Sequence, residues 1–264
     1  MDMKRVLILL LPTILAFLSA CAISEISLLQ TAKPLGKGRL EIMPYVANAM
    51  NMYPTQDFRE IYYAIAASDT IEYWLDFESQ ETWIKWGKKK DASLVGKALS
   101  YGLTEKDDLQ LKTFASGSGG LKLGLKHLLS QSDNSYAAIM PFLGYSSSEN
   151  SSTEYYNGQP SFVVRDKNTL ITAELHGIFT LEPHEVITIT ASPHISLSRL
   201  TRRYNGKDYG PYLIPHGGLK LITRLQVYRS FISGEIGFEA AKKWDDILML
   251  VPSISVGAGL LIGK

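Results

Sequence analysis

Hydrophobic and polar residues alternate along most of the chain after Arg39, in runs of about ten residues separated by polar or glycine-containing turns. Within residues 121–126, for example, the leucines fall on one face of a predicted strand and Lys122 and Lys126 on the other. A strand that crosses a bilayer needs roughly 9 to 11 residues, which matches the length of these runs. The pattern predicts an all-β protein.

The alternation predicts ten strands, and a further hairpin within residues 51–91 would raise the number to about twelve. In the last strand, large apolar residues such as Ile254 alternate with small ones such as Ser255. The predicted strands cover residues 39–48, 93–103, 107–116, 119–129, 136–146, 169–181, 185–198, 212–224, 228–240 and 247–262.

The predicted connections between strands largely alternate between short and long. They are short at residues 104–106, 130–134, 182–184 and 225–227, and long and polar at residues 146–167 and 199–210. This asymmetry and the strand length favour an antiparallel up-and-down transmembrane β-barrel. The alternative is a soluble, lipid-tethered β-barrel or sandwich in the periplasm that binds an apolar ligand. Its leucines would form the core, and lysines such as Lys112 would face water. Alternation alone is compatible with both.

The N-terminus has the three parts of a secretory signal peptide. Lys4 and Arg5 precede an apolar run over residues 6–17, and the small residues Ser19 and Ala20 follow it. The run is shorter than the roughly 20 apolar residues of a membrane-spanning helix. We therefore expect residues 1–20 to be removed.

Cys21, the only cysteine, directly follows this segment. Residues 18–21, Leu-Ser-Ala-Cys, resemble the lipobox of bacterial lipoproteins. The resemblance implies that Cys21 carries a thioether-linked diacylglycerol and an acyl chain, and we expect no other cofactor. Ala22 stands where an Asp would favour the inner membrane, so the resemblance implies the outer membrane. An ordinary signal peptide with a chance cysteine is the alternative.

Three features together resemble bacterial outer-membrane β-barrel lipoproteins: Cys21, the Leu-Gly-Lys-Gly segment at residues 35–38, and the alternating stretch from Tyr101 to Gly124. The resemblance covers most of residues 35–264 as a pattern. It implies a lipidated tether at residues 21–37, a barrel domain at residues 38–264, and contact with outer-membrane lipids. A structural or interaction role without catalysis is expected, and no protein partner is indicated.

Charge and histidine content exclude several other classes. Removing residues 1–20 takes away Lys4, Arg5 and Asp2, which leaves 25 basic and 25 acidic residues. Without a basic excess we expect no nucleic-acid partner. The five histidines and the cysteine lack metal-ligand spacing, so no metal is expected.

In a membrane barrel the faces opposite the leucines would project polar residues into the lumen. A solute or lipid path is one interpretation, because ionisable residues at membrane depth are functional candidates. A ten-strand barrel, however, is barely wider inside than its own side chains, which favours charges that pair with one another. The predicted lumen cluster is Lys112, Lys122, Lys126, Glu174, His176, His194, Glu235 and Glu239.

Two further features of the sequence bear on function. His194 lies two residues from Ser196 and four from Ser198, and Glu174 lies beside His176, as in a serine hydrolase, but no acidic third partner is identifiable. Residues 53–86 hold three of the four tryptophans, which favours an interfacial aromatic girdle over a recognition surface.

Overall fold

The computed structural model describes residues 23–25, 27–54, 82–84, 93–115, 119–156, 159–204, 207–242 and 248–263. The predicted signal peptide, Cys21 and most of the aromatic segment 53–86 lie outside these residues. Within the described part of the chain, no helix is long and apolar enough to cross a membrane.

The chain forms a closed antiparallel barrel of ten strands, as predicted. β2 closes the ring because it pairs with both β4 and β12, and two short strands, β1 and β3, pair with the distal part of β2. The strands are β1 (Ile23–Glu25), β2 (Leu40–Pro54), β3 (Thr82–Ile84), β4 (Ser93–Gly102), β5 (Asp107–Ala115), β6 (Gly119–Ser132), β7 (Ser135–Tyr156), β8 (Gln159–His184), β9 (Ile187–Tyr204), β10 (Lys207–Val227), β11 (Ser230–Lys242) and β12 (Leu248–Ile262).

The two ends of the barrel differ. One end, the short-turn end, carries the connections at residues 103–106, 133–134, 185–186 and 228–229. At the opposite end, named here the long-hairpin end, the β7–β8 hairpin and the β9–β10 hairpin extend well past the ends of the neighbouring strands. The prediction of long loops was wrong for residues 146–156, 159–167, 199–204 and 207–210, which are strand. Backbone ladder hydrogen bonds hold these polar stretches as strands, and hydropathy does not report such bonds.

Each strand turns its apolar face outward and its polar face towards the lumen, which is the reverse of a soluble protein. Leu143 and Ile195 point outward and are 66% and 67% exposed, whereas Lys112 and Lys126 point inward and are each 1% exposed. The soluble alternative, with leucines in a core and lysines in water, therefore does not describe this barrel.

The stretch at residues 27–35, named here the lumen segment, lies inside the barrel. Leu28 and Leu29 are fully buried and pack into two separate apolar clusters. The prediction of a tether held apart from the folded body was wrong for these residues. Burial of each leucine contributes roughly 1.5–3 kcal/mol, which an exposed tether would forgo. The two clusters consist of Leu28, Ala32, Leu128, Tyr136, Ala138, Met140, Phe142, Ile178 and Ile222, and of Leu29, Met43, Tyr45, Ala47, Ala98, Phe114 and Phe231.

A glycine-dependent reversal connects the lumen segment to β2 at the short-turn end. Gly36 and Gly38 have φ values of +84° and +79°, a region that side chains disfavour. The Gly38 amide donates to the Gly102 carbonyl at 2.8 Å, and the Gly102 amide donates to the Arg39 carbonyl at 2.9 Å. The reversal therefore packs directly against the end of β4.

Gly102→Ala is expected to destabilise the folded barrel, because a Cβ at this position would lie 1.9 Å from the backbone oxygen of Gly36. Gly234→Ala is the matched control, since a Cβ there meets nothing within 4 Å. The temperature at which the folded form converts to the unfolded form on unheated gels should fall for Gly102→Ala only. Equal midpoints for the two variants would show that the reversal is not held against β4.

Candidate functional site in the barrel lumen

All eight residues of the predicted lumen cluster are buried and face the lumen. The structure divides them into two groups. Three of them, Lys112, Lys126 and Glu235, bind the lumen segment. The other five, Lys122, Glu174, His176, His194 and Glu239, contact one another.

Glu235 on β11 holds the centre of the lumen segment. Its Oε2 accepts hydrogen bonds from the amides of Leu28 and Leu29 at 2.7 and 2.8 Å, and the carboxylate is 1% exposed. Leu29 has φ of +53°, an uncommon conformation for a residue with a side chain. Consecutive amides aimed at one carboxylate form the kind of concavity that binds anions.

Two lysines bind carbonyl groups of the same segment. Lys112 donates to the Ser27 carbonyl, and Lys126 donates to the carbonyls of Thr31 and Lys33 at 3.0 and 2.9 Å. Lys126 is also paired with Asp108 at 2.8 Å. The barrel wall therefore supplies both acceptors and donors to the backbone of the segment, which a segment buried outside a sheet requires.

A second buried ion pair, between Arg224 and Glu41, was missed by the sequence analysis. Arg224 Nη1 and Nη2 lie 2.7 and 3.3 Å from the Glu41 oxygens, and Nη2 also donates to the Leu29 carbonyl at 3.2 Å. Gln30 of the lumen segment donates to Glu41 at 3.1 Å. Strand parity is the signal that could have found this pair, since Arg224 shares a face with Lys220.

The remaining charges form a network on the wall of β6 to β11. Lys122 is paired with Glu174, which lies 3.2 Å from His176. The His176 and His194 rings are stacked with centroids 4.7 Å apart. Glu239 lies 2.7 Å from His194, 3.4 Å from His216 and 3.3 Å from Lys220. Two lysines thus balance two glutamates, with the histidines between them.

This network contains a Ser-His-Glu chain. Ser198 Oγ lies 3.1 Å from His216 Nε2, and His216 Nδ1 lies 3.4 Å from Glu239 Oε2. The order matches that of a nucleophile, a base and an orienting acid. The histidine is His216, not His194 as the sequence suggested, and Glu239 is the acid that was not identified. Ser198 is 0% exposed, however, so no substrate reaches its hydroxyl in this conformation.

We expect a fluorophosphonate probe to leave the folded protein unlabelled, because Ser198 is sealed within the wall. The test is gel fluorescence after incubation of the folded barrel in detergent, with a reactive serine hydrolase in the same tube as positive control. Labelling that disappears in Ser198→Ala would show instead that this chain is accessible and reactive.

A cavity of about 420 Å³ opens at the short-turn end, and Thr31 and Lys33 of the lumen segment form part of its wall. Lys33 Nζ lies 2.9 Å from Glu182. Partial burial lowers the pKa of Lys33, but its hydrogen bonds to Glu182 and the charge of that carboxylate outweigh burial and raise the pKa. The lumen segment therefore lies across the passage from this end and is held there by a charged contact.

Among the residues that the structure describes, no group of three or more His, Cys, Asp or Glu side chains is placed to hold a metal ion.

No family model matches the chain. No curated protein matches it by sequence either. Among solved structures, it is similar to the outer membrane protease OmpT from Escherichia coli, with 7% identity over 85% of this chain and 93% of that one and a TM-score of 0.40.

Two further structures are also similar. The attachment invasion locus protein Ail of Yersinia pestis has 9% identity over 86% of this chain and 99% of that one, with a TM-score of 0.36. The outer membrane channel DcaP of Acinetobacter baumannii has 6% identity over 85% and 96%, with a TM-score of 0.22. A protease, an attachment protein and a channel do not indicate one function, and likenesses this distant decide nothing about this chain.

Proposed function

We propose that this protein is an outer-membrane β-barrel lipoprotein that is closed by its own N-terminal segment and serves a structural or interaction role. The observation that carries the proposal is the inside-out barrel, with charges paired in the lumen and aliphatic side chains on the outer surface. The proposal includes neither an open channel nor a catalytic site.

Insertion in a membrane follows from the outer surface. Leu213, Ile236 and Leu250 are 64%, 61% and 64% exposed, and other strands carry similar residues. Monomeric soluble proteins rarely expose contiguous apolar patches above a few hundred Å². A closed barrel satisfies its backbone hydrogen bonds between strands, which a bilayer requires. Short turns face the periplasm in barrels of this type, so the long-hairpin end faces outward.

The interaction role is assigned to the long hairpins. β7 and β8 have 22 and 26 residues, whereas roughly 9 to 11 cross a bilayer. The excess of each strand therefore projects beyond the membrane. Because the lumen is occupied by the N-terminal segment, these projecting hairpins are the part of the described barrel best placed to meet a partner.

The alternative of a solute channel is disfavoured by the same geometry. Leu28 and Leu29 fill the centre of the lumen, Glu235 and Arg224 bind their backbone, and Lys112 binds the preceding Ser27 carbonyl. A solute would have to displace these contacts. Transport of a lipid along the outer surface has no specific contact in its favour.

Two measurements on cells test the proposal. The folded protein should migrate faster on gels before heating than after, because a closed barrel resists mild detergent. Protease added to intact cells should cut within the projecting β7–β8 hairpin and spare the turn at residues 133–134. Extraction of an unlipidated Cys21→Ser chain by aqueous buffer would contradict membrane insertion.

A further inference from the structure

The lumen segment passes through the barrel from one end towards the other. β1 pairs with Ala49–Asn51 of β2, beyond Asn48, where the pairing of β2 with β4 ends. The segment later meets Glu182 and Asp108, which lie next to the short turns. β1, which precedes the lumen segment, therefore lies at the long-hairpin end, and the last residues of the lumen segment lie at the short-turn end.

The direction of β1 supports this path independently of the lumen contacts. β2 starts beside the short-turn end and runs towards the long-hairpin end, and β1 is antiparallel to it. β1 therefore runs towards the lumen, and its first residue, Ile23, lies at the long-hairpin end.

We infer that the mature N-terminus lies outside the cell, so that the acyl groups predicted on Cys21 insert into the outer leaflet of the outer membrane. Cys21 precedes Ile23 by two residues, which span at most about 7 Å. The hydrocarbon core of a bilayer is about 30 Å thick, so this link is too short to return the lipid to the periplasmic leaflet. The inference rests on the proposed function for the orientation of the barrel and for the lipid.

The buried contacts show that this path is built into the barrel. Glu235 accepts two backbone hydrogen bonds from the segment, and Lys112, Lys126 and Arg224 donate to its carbonyls. These four side chains are at most 4% exposed. Without the lumen segment, Lys112, Lys126, Arg224 and Glu235 would each lose a buried hydrogen-bond partner. Losing a partner costs more free energy for a buried charged group than for an exposed one. The wall is therefore complementary to a threaded N-terminus.

A lipid on the outer side would also explain why the barrel carries one at all. The outward aliphatic residues already hold the barrel in the membrane. An acyl group beside the long hairpins adds a second membrane attachment at the end of the barrel that is proposed to meet partners. A lipid in the periplasmic leaflet would add no attachment at that end.

The test is site-directed labelling of the full chain with a membrane-impermeant maleimide. A lipidated Cys21 is a thioether and does not react, so Ser24→Cys introduces one free thiol beside the N-terminus. Asp208→Cys is the matched control for the long-hairpin end and Glu105→Cys for the short-turn end, since both positions are exposed. Ser24→Cys should label in intact cells like Asp208→Cys, whereas Glu105→Cys should label only after permeabilisation.

The controls separate the ways in which the inference can fail. Labelling of Ser24→Cys only after permeabilisation, with Asp208→Cys labelled in intact cells, would overturn it. Labelling of Glu105→Cys but not Asp208→Cys in intact cells would show that the proposed orientation is wrong. Labelling of the unaltered chain would show that Cys21 carries no lipid, and the series in a Cys21→Ser background would then decide the position of the N-terminus.

A second measurement does not depend on access of the reagent. Ser24 and Met50 are register partners, so the double variant Ser24→Cys/Met50→Cys should form an intramolecular disulfide on oxidation. The pair Ser24→Cys/Glu105→Cys should not, because the two positions lie at opposite ends. Failure of the first cross-link, or formation of the second, would overturn the threaded path.

Discussion

A chain that lacks residues 22–33 is expected to conduct ions across a planar lipid bilayer, whereas the full chain is expected to stay silent. The deletion removes Leu28 and Leu29 from the centre of the lumen. It also releases Lys112, Lys126 and Glu235 from the segment, and water would take the place of their partners. An aqueous path lined by charges would then join the two ends.

The control for this deletion is its reversal. A synthetic peptide of residues 22–35, added from the short-turn side, should lower the conductance, because the wall still offers the same donors and acceptors. The shortened chain must first show the faster migration of a folded barrel. A folded, shortened barrel that stays silent would show that wall side chains alone close the lumen.

Arg224→Met is expected to lower the free energy of unfolding by about 3–5 kcal/mol, the usual cost of breaking a buried ion pair by removing one partner. Glu41, at 1% exposure, would lose both guanidinium contacts, and the Leu29 carbonyl would lose its donor. Urea titration in detergent micelles, followed by tryptophan fluorescence, measures the loss.

The double variant Arg224→Met/Glu41→Met distinguishes a broken pair from general damage to the barrel. Replacing both charges removes the unpaired carboxylate, so the double variant should be more stable than Arg224→Met alone. If the double variant loses as much stability as Arg224→Met and Glu41→Met together, the ion-pair explanation is contradicted. Gln226→Ala serves as a further control. Among the described residues, the Gln226 side chain donates to the nearby exposed Tyr228 carbonyl alone, so its loss should barely change stability.

Most of the barrel was predictable because one local rule repeats in every strand. Alternation of apolar and polar residues predicted the number of barrel strands and divided the side chains of each strand into two faces, with Lys122 and Ser255 on the polar or small face of their strands. No local pattern distinguishes a membrane barrel from a soluble one. It depended on which face turns inward once the sheet closes.

The lumen segment escaped prediction because its partners are distant in sequence. Leu28 and Glu235 are 207 residues apart, and no short pattern links them. The adjacent leucines at positions 28 and 29, within a supposedly exposed tether, were the available signal. The Ser-His-Glu chain escaped for a similar reason, since His216 and Glu239 lie on strands other than that of Ser198.

The contacts of Leu28 also set an order of assembly. Residues near the start of the chain bind β11, so these bonds cannot form until nearly all of the barrel has been synthesised. Contacts of such large sequence separation slow folding, because the entropy of closing the loop is lost before they form. The lumen segment is synthesised before every strand of the barrel but reaches its final contacts only after β11 is available.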